Sequence, residues 1–255
     1  MSAIDPSIPP DRQTTTDRAY RALKHAIMHG DLVPGQVVSQ VELGRQYDVG
    51  RTPLREAIRM LQRDGLMDGE ANRSVRVSAF SIADVEELYG VRIVNEALGI
   101  RLTVPTLDVD DDAFLAGCIE QMASHAAAGD VDAWERIHRA FHVHLVSRSG
   151  ARLQALLAEL YDHAERYRRL YITSEPRAMS IGAHEHEAIV AACRSRDAEA
   201  AAAELARHVS RTALTTLMQI APEHEPATVR TSLRSVLAGA EHSPGASTKT
   251  RLNVQ

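Results

Sequence analysis

Three histidines fall within eight residues in "IHRAFHVHLVSRSG", Ile137 to Gly150. Imidazole can hold a divalent ion or move protons near neutral pH, and the spacing decides which groups can act together. His138 and His142 are four apart, so on a helix they stack on one face where two imidazoles can close on one ion. His144 lies about 200° round from His142 and cannot join them. Further along, His186 precedes the apolar positions Ile189 and Val190 in "HEHEAIVAACRSRD", and His208 sits between Leu205 and Val209 in "ELARHVSRTAL". Three helices could thus converge four imidazoles: His138, His142, His186 and His208. The alternative for any one of them is a packed histidine with ordinary partners.

A second pattern is cationic. Arg51, Arg55, Arg59 and Arg63 recur every four residues and rise along one flank of a helix. The first turn of such a helix can enter a major groove while later arginines meet phosphate. The alternative is a solvated arginine face.

The histidines need helices to carry them, and the chain after Ser81 supplies these. Apolar residues recur at helical period over about Ile82 to Thr103, Asp112 to Ala128, Val131 to Ser147, Ala151 to Tyr171, Met179 to Arg194 and Ala198 to Ile220. Breaks fall at Pro105, Gly129-Asp130, Ser149-Gly150, Glu175-Pro176 and Arg196-Asp197. The expected body is an all-α bundle of six or seven helices over 81–221. The first ten residues, with three prolines, and residues 222–255, rich in Pro, Ser, Thr and Gly, are expected to be flexible arms. Within the tail, Val229, Leu233, Val236 and Leu237 could form a short amphipathic turn, against a partner subunit.

The arginines need a different scaffold, and residues 11–80 supply it. Tyr20, Leu23 and Ile27 form a stripe that stops at Gly30, and "GDLVPGQVVSQ" reads as a turn with Pro34-Gly35 at its tip. Ser39 with Glu42 opens a short helix as a capping box, Asp48-Val49-Gly50 turns, and Thr52 with Pro53 starts a second helix. That helix turns Leu54, Ala57, Ile58 and Leu61 inward, opposite the arginines. "LMD" and "VRVSA" around "GEANRS" then read as a small β-hairpin wing, whose Asn72 and Arg73 could reach the minor groove or the backbone. The expected class is therefore mostly α: an N-terminal winged helix-turn-helix with a small hairpin wing, then the helical bundle.

Composition sets limits on function. Net charge is −5, but residues 11–80 carry +2 and the remainder −7, a mildly basic head on an acidic body. Cys118 and Cys193 stand without a C-x-x-C pairing, which argues against a disulfide scaffold or a thiolate zinc site. The opening "MSAIDPSIPPDRQ" has no basic region leading into an apolar run, and no run of apolar residues is long enough to span a bilayer, so a cytoplasmic location without membrane partners is expected.

Residues of about 18 to 78 resemble the GntR-type winged-helix domain, on "GDLVPG", "GRTPLREAI" and "LQRDGL". The resemblance implies DNA contacts at Arg51, Thr52 and Arg55, with Arg45, Arg59, Asn72 and Arg73 as further candidates. Gly50 departs from the Ser or Thr common in the family, and Ser74 from a wing glycine. Residues of about 82 to 215 resemble the FCD ligand-binding domain of the FadR subfamily, on "YGVRIVNEAL", "HRAFHVHLVSRSG", "EHEAIVAACRSRD" and His208. This implies a divalent metal at His138, His142, His186 and His208, with His138 standing where an Asp or Asn oxygen is usual. Either the site is all imidazole and leans toward Zn²⁺ or Ni²⁺ over Mn²⁺, or three histidines bind and His138 does not. The resemblance also implies that Arg92, with Asn95 on the same side, meets an acidic effector; the alternative is an i, i+4 salt bridge from Arg92 to Glu96.

The expected function is a homodimeric transcription regulator, a repressor by the family's common sign. It would read a palindromic operator and respond to a small carboxylic acid. One alternative is a metal-dependent hydrolase on a helical bundle, disfavoured because "HEHE" is not H-E-x-x-H and the winged helix would have no task. Another is a regulator whose metal is purely structural.

Overall fold

The computed structural model describes residues 14–69, 74–175 and 177–241, and the chain divides after Ser81 into two units. The first begins with α1 (Thr15–Met28), whose N-cap Thr14 accepts from the Asp17 amide. Leu23, with Ala19 and Ala26, is the buried line of α1, and Tyr20 and Ile27 flank it half-buried. β1 (Val37–Ser39) leads into α2 (Gln40–Gln46), where the Ser39 hydroxyl accepts from Val41 N at 3.2 Å. The turn to α3 (Arg51–Arg63) is tight: Asp48 takes φ 50° and Val49 N donates to Gly44 O at 2.9 Å. A Cβ on Gly44 would lie 3.1 Å from Val49 O, so a glycine there lets the two helices approach closely.

Two local expectations are corrected here. The α3 N-cap is Gly50, not Thr52, and it offers no side-chain bond to the first turn. Pro53 therefore sits third in the helix rather than first; its missing N–H costs nothing there, because none of the first helical amides has an intrahelical acceptor. The wing hairpin, β2 (Met67–Asp68) with β3 (Ser74–Val77), gains a third strand, since β1 pairs antiparallel with β3 and the order is β1-β3-β2. "VVS" is too short to show a period of its own and extends only because β3 supplies its ladder. Leu23, Leu43, Leu54, Ile58, Leu61 and Leu66 fill the small core.

The second unit is built from seven helices among the described residues: α4 (Ile82–Thr103), α5 (Val109–Ala128), α6 (Val131–Leu145), α7 (Ala151–Ser174), α8 (Ala178–Arg194), α9 (Ala198–Ile220) and α10 (Ala227–Glu241). Asp108 and Asp111 form a reciprocal cap at the start of α5, Gly129 closes it at φ 68°, and Asp130 and Asp197 cap α6 and α9. α4 is the central element, packed against α7, α9 and α10, while α5 packs on α6 and α8. Ala201, Ala202, Ala206 and Ala213 are buried along α9, and their small side chains allow the α4–α9 approach. No described helix is long and apolar enough to cross a membrane.

The flexible tail expected from residue 222 is corrected over 227–241. α10 packs on α4 and α9 of its own chain, with Val229 and Val236 buried. Glu86 on α4 accepts from Thr228 N at 2.8 Å near the start of α10, and Arg101 donates to Val236 O. A Cβ on Gly90 would come within 2.8 Å of Thr228, so α4 is bare where α10 crosses it. Two valines seven residues apart carry too little apolar surface to order a helix alone, and composition gave no sign of the surface awaiting them. Residues 1–13 and 242–255 lie outside the described residues.

Candidate metal centre and nucleic-acid interface

α6 carries His138 and His142 one turn apart, α8 carries His186 and α9 carries His208. The bundle brings all four together: each offers a nitrogen, and these atoms lie within 4.8 Å of one another. Ring centroids are 4.4 Å apart for His138 and His142 and 4.6 Å for His186 and His208. All four are buried, His142 completely. His144, expected to point elsewhere, does so: its Nε2 is 2.8 Å from Asp111 Oδ1 and its ring lies on Phe114.

The nitrogens themselves indicate what the cluster can do. His138 Nδ1, both nitrogens of His142 and His186 Nε2 are buried without a hydrogen-bond partner. Orphaned buried polar atoms cost about 1 to 3 kcal/mol each, so this many in one place calls for a shared partner. Burial drives His138 and His186 well below the ordinary imidazole range, and neighbouring imidazoles push the same way. Burial likewise takes His142 down to about 3, against the pull of the Glu96 carboxylate. Neutral imidazoles with free lone pairs are the form that binds a divalent transition ion. The residues present fit such an ion.

Carboxylates stand one step behind the rings. His208 Nδ1 is 3.0 Å from Glu185 Oε2, which leaves its other nitrogen for the centre, and Glu185 is held by Arg211 at 2.8 Å. Glu96 Oε2 lies 3.7 Å from His142 Nδ1, too far for a full hydrogen bond but within reach of its charge. Glu96 in turn accepts from Arg92 Nε at 2.7 Å and from the Tyr161 hydroxyl at 2.6 Å. Burial alone would raise the Glu96 carboxyl; the Arg92 charge, then His142 and Tyr161, outweigh it and bring it to about 2. Burial and the Glu96 charge push the Tyr161 phenol well up, so it stays a donor.

Arg92 thus has the salt bridge that the sequence left as its alternative. Its guanidinium is buried and flanked by the Tyr89 and Tyr161 rings at 5.0 and 4.8 Å. Asn95 is half-buried and donates back to Val91 O. Trp134 and Tyr161 are not among the site residues that the sequence suggests. Trp134 had a signal: it lies four before His138 on one helix, and it stacks on that ring at 4.6 Å.

On the first unit, Arg51, Thr52 and Arg55 are exposed and, with Arg45, Gln40 and Asp48, line a concave groove at the mouth of the helix-turn-helix. Arg59 is exposed one turn on and pairs with Glu56 at 2.9 Å. Because Gly50 provides no cap, the first amides of α3 are left to the groove. Asn72 and Arg73 lie outside the described residues.

Comparison with known proteins agrees with this division. Residues 15–77 match the gntR family of bacterial regulatory proteins, and residues 87–211 match the FCD domain. An HTH-type transcriptional regulator of Bacillus subtilis (strain 168), YdhC, is 30% identical over 74% of this chain and 85% of its own length. The HTH-type transcriptional repressor GlaR of Escherichia coli (strain K12) is 28% identical over 74% of this chain and 90% of its own. Among solved structures, a GntR-type regulator from Rhodococcus sp. RHA1 superposes with TM-score 0.67 at 25% identity, covering 80% of this chain and 98% of that one. McbR/YncC of E. coli shares the fold, with TM-score 0.68 at 20% identity over 82% of this chain and 99% of its own.

The neutral histidines give metal-stripped protein a pH-dependent stability. His138, His142 and His186 bind protons less readily folded than unfolded, so stability is full above about 6.5 and falls as pH drops toward the folded values. The slope approaches about 1.4 kcal/mol per pH unit for each histidine that charges only on unfolding. Urea midpoints of chelator-treated protein should decline from pH 7.5 to 5.5; a flat midpoint would mean that the rings already carry protons in the fold.

Proposed function

Since the chain belongs to the gntR family of bacterial regulatory proteins, of the FadR type with an FCD domain, and is a transcriptional regulator rather than an enzyme, we propose that it is an effector-responsive repressor whose helical unit holds a divalent metal. The observation that carries the reading is the set of four buried imidazoles, three of which have orphaned nitrogens. Family membership removes the hydrolase alternative.

His138, His142, His186 and His208 would hold the ion. An all-nitrogen set favours Zn²⁺ or Ni²⁺ over Mn²⁺, since the oxygen ligand that suits manganese is missing. Such an ion supplies a Lewis acid for the carboxylate of a small organic acid. Glu96 and Glu185 orient His142 and His208, and Arg92 fixes Glu96 in place, so Arg92 serves the effector site from one step behind, with Asn95 on the same helix. To switch the protein the acid must bind one arrangement of the regulator better than the other.

Operator reading is assigned to Arg51, Thr52 and Arg55 at the groove, with Arg45, Arg59, Asn72 and Arg73 on the backbone or minor groove. Either Arg51 or Arg55 bidentate to a guanine gives sequence discrimination of about 1 to 3 kcal/mol. A palindromic operator requires two heads, and α4 offers a surface for a second copy. Val91, Val94, Leu98 and Leu102 are each 44–48% exposed and recur along one face. A face of this kind can pair with itself about a two-fold axis.

A regulator with a purely structural metal remains as a second reading, favoured by how completely the four rings are buried.

Three measurements test these assignments. Arg55→Ala should weaken binding to the specific operator by about 10-fold or more, and binding to random duplex much less; equal loss on both reduces Arg55 to a phosphate contact. His142→Ala should lower zinc content in dialysed protein and remove the melting-temperature shift produced by an acid effector. Zinc retained at the parent level sinks the site, and a zinc loss in protein that never responds to any acid supports the structural reading. Leu98→Glu should sediment as a monomer where the parent is a dimer; an unchanged dimer moves the interface elsewhere.

A further inference from the structure

A cavity of ≈ 230 Å³ lies beside the histidine cluster, walled by Ile119, Met122, Trp134, Met179, Ala183 and His186. It sits between α5, the start of α6 and α8. Ala123 and Ser180 also line it, and both are exposed, so the cavity has a mouth to solvent. Two of its walls belong to the centre itself. His186 is one of the four clustered imidazoles, with its Nε2 buried and unpartnered, and Trp134 stacks on His138.

The chemistry of the lining is one-sided. No Asp, Glu, Lys or Arg is among the lining residues, and the side chains with a hydrogen-bonding group are Ser180 at the mouth, His186 at the inner end and the indole of Trp134. A second carboxylate or a row of hydroxyls on a ligand would be desolvated here without a partner, at a cost of about 1 to 3 kcal/mol for each polar group. An apolar body would be favoured by about 25 cal/mol for each Å² removed from water. The size is informative too. A dry cavity of about 150 Å³ accepts benzene, so this one has room for a ring with a short substituent. Arg92, the one cation that the sequence offered to an acid, is engaged by Glu96 and is not part of the lining.

We propose that the cavity between α5 and α8 takes the hydrocarbon body of an aromatic monocarboxylic acid, with its carboxylate at the histidine centre, and rejects dicarboxylic and polyhydroxy acids. This rests on the metal reading above and narrows the effector to a class. Specificity would then reside in Ile119, Met122, Trp134 and Met179, which touch the ring, and the histidines would serve any acid alike.

Trp134 is the chain's single tryptophan and lies in the cavity wall, so its emission reports occupancy without a label. Zinc-loaded protein should show a saturable change in Trp134 emission with benzoate, at a Kd at least 10-fold lower than for succinate. Ala183→Leu, which fills the cavity, should raise the benzoate Kd at least 10-fold with zinc content unchanged. Ala123→Leu at the exposed mouth provides a second block if Ala183→Leu fails to fold. Succinate binding as tightly as benzoate, or benzoate binding undiminished in a folded block variant, overturns the proposal. Repeating the titration after chelation separates the two readings. If the protein holds no zinc, yet benzoate still outbinds succinate and the block variants still weaken it, the metal anchor fails and the cavity assignment stands.

Discussion

Burial holds His138, His142 and His186 neutral, and neutral rings packed against one another leave nitrogens without a partner. That constraint governs the helical unit. Charging even one ring would place a cation among its neighbours in a low-dielectric interior, and burial prevents it for His138, His142 and His186. Neutral rings in this state are the form that can take up a divalent ion, and the binding free energy of the proposed metal would offset what their burial costs the fold.

The negative charge that would balance an ion is held behind the rings rather than among their unpartnered nitrogens. Glu96 and Glu185 stand behind His142 and His208, and each has its own arginine, Arg92 and Arg211. A buried carboxylate without such a partner would shift its pKa upward and take up a proton. With Arg92 and Tyr161 on it, Glu96 stays ionised at every ordinary pH. A second buried pair, Glu135 with Arg168, joins α6 to α7. α4, which contributes no histidine and packs against α7, α9 and α10, carries both Arg92 and Glu96.

Much of this could be read from residue spacing, and the gaps have physical reasons. The helices carrying the histidines follow from apolar period and from caps such as Asp130 and Asp197, which are local signals. Convergence of His186 and His208 on the His138–His142 pair followed from their borders with Ile189, Val190, Leu205 and Val209. What spacing could not supply were contacts whose partners are distant in sequence. β1 exists through β3, α10 through the bare surface at Gly90, and the Glu185–His208 bond spans two helices. The Arg92–Glu96 bridge was one of two readings of an i, i+4 pair, and only the burial of both partners together separates them. The α3 cap was misplaced by two residues because Thr52 and Pro53 look like a helix start, whereas the backbone turns at Gly50.

The division of labour around α3 has an evolutionary consequence. Leu54, Ala57, Ile58 and Leu61 are sealed in the core of the head, while Arg51, Thr52, Arg55 and Arg59 are exposed on the opposite side. Outward positions on such a helix can be exchanged within about 0.5 kcal/mol of stability. Where those outward side chains read the operator, as proposed, the address can drift by a few substitutions while the scaffold stays fixed, which would free relatives with the same fold to serve unrelated promoters.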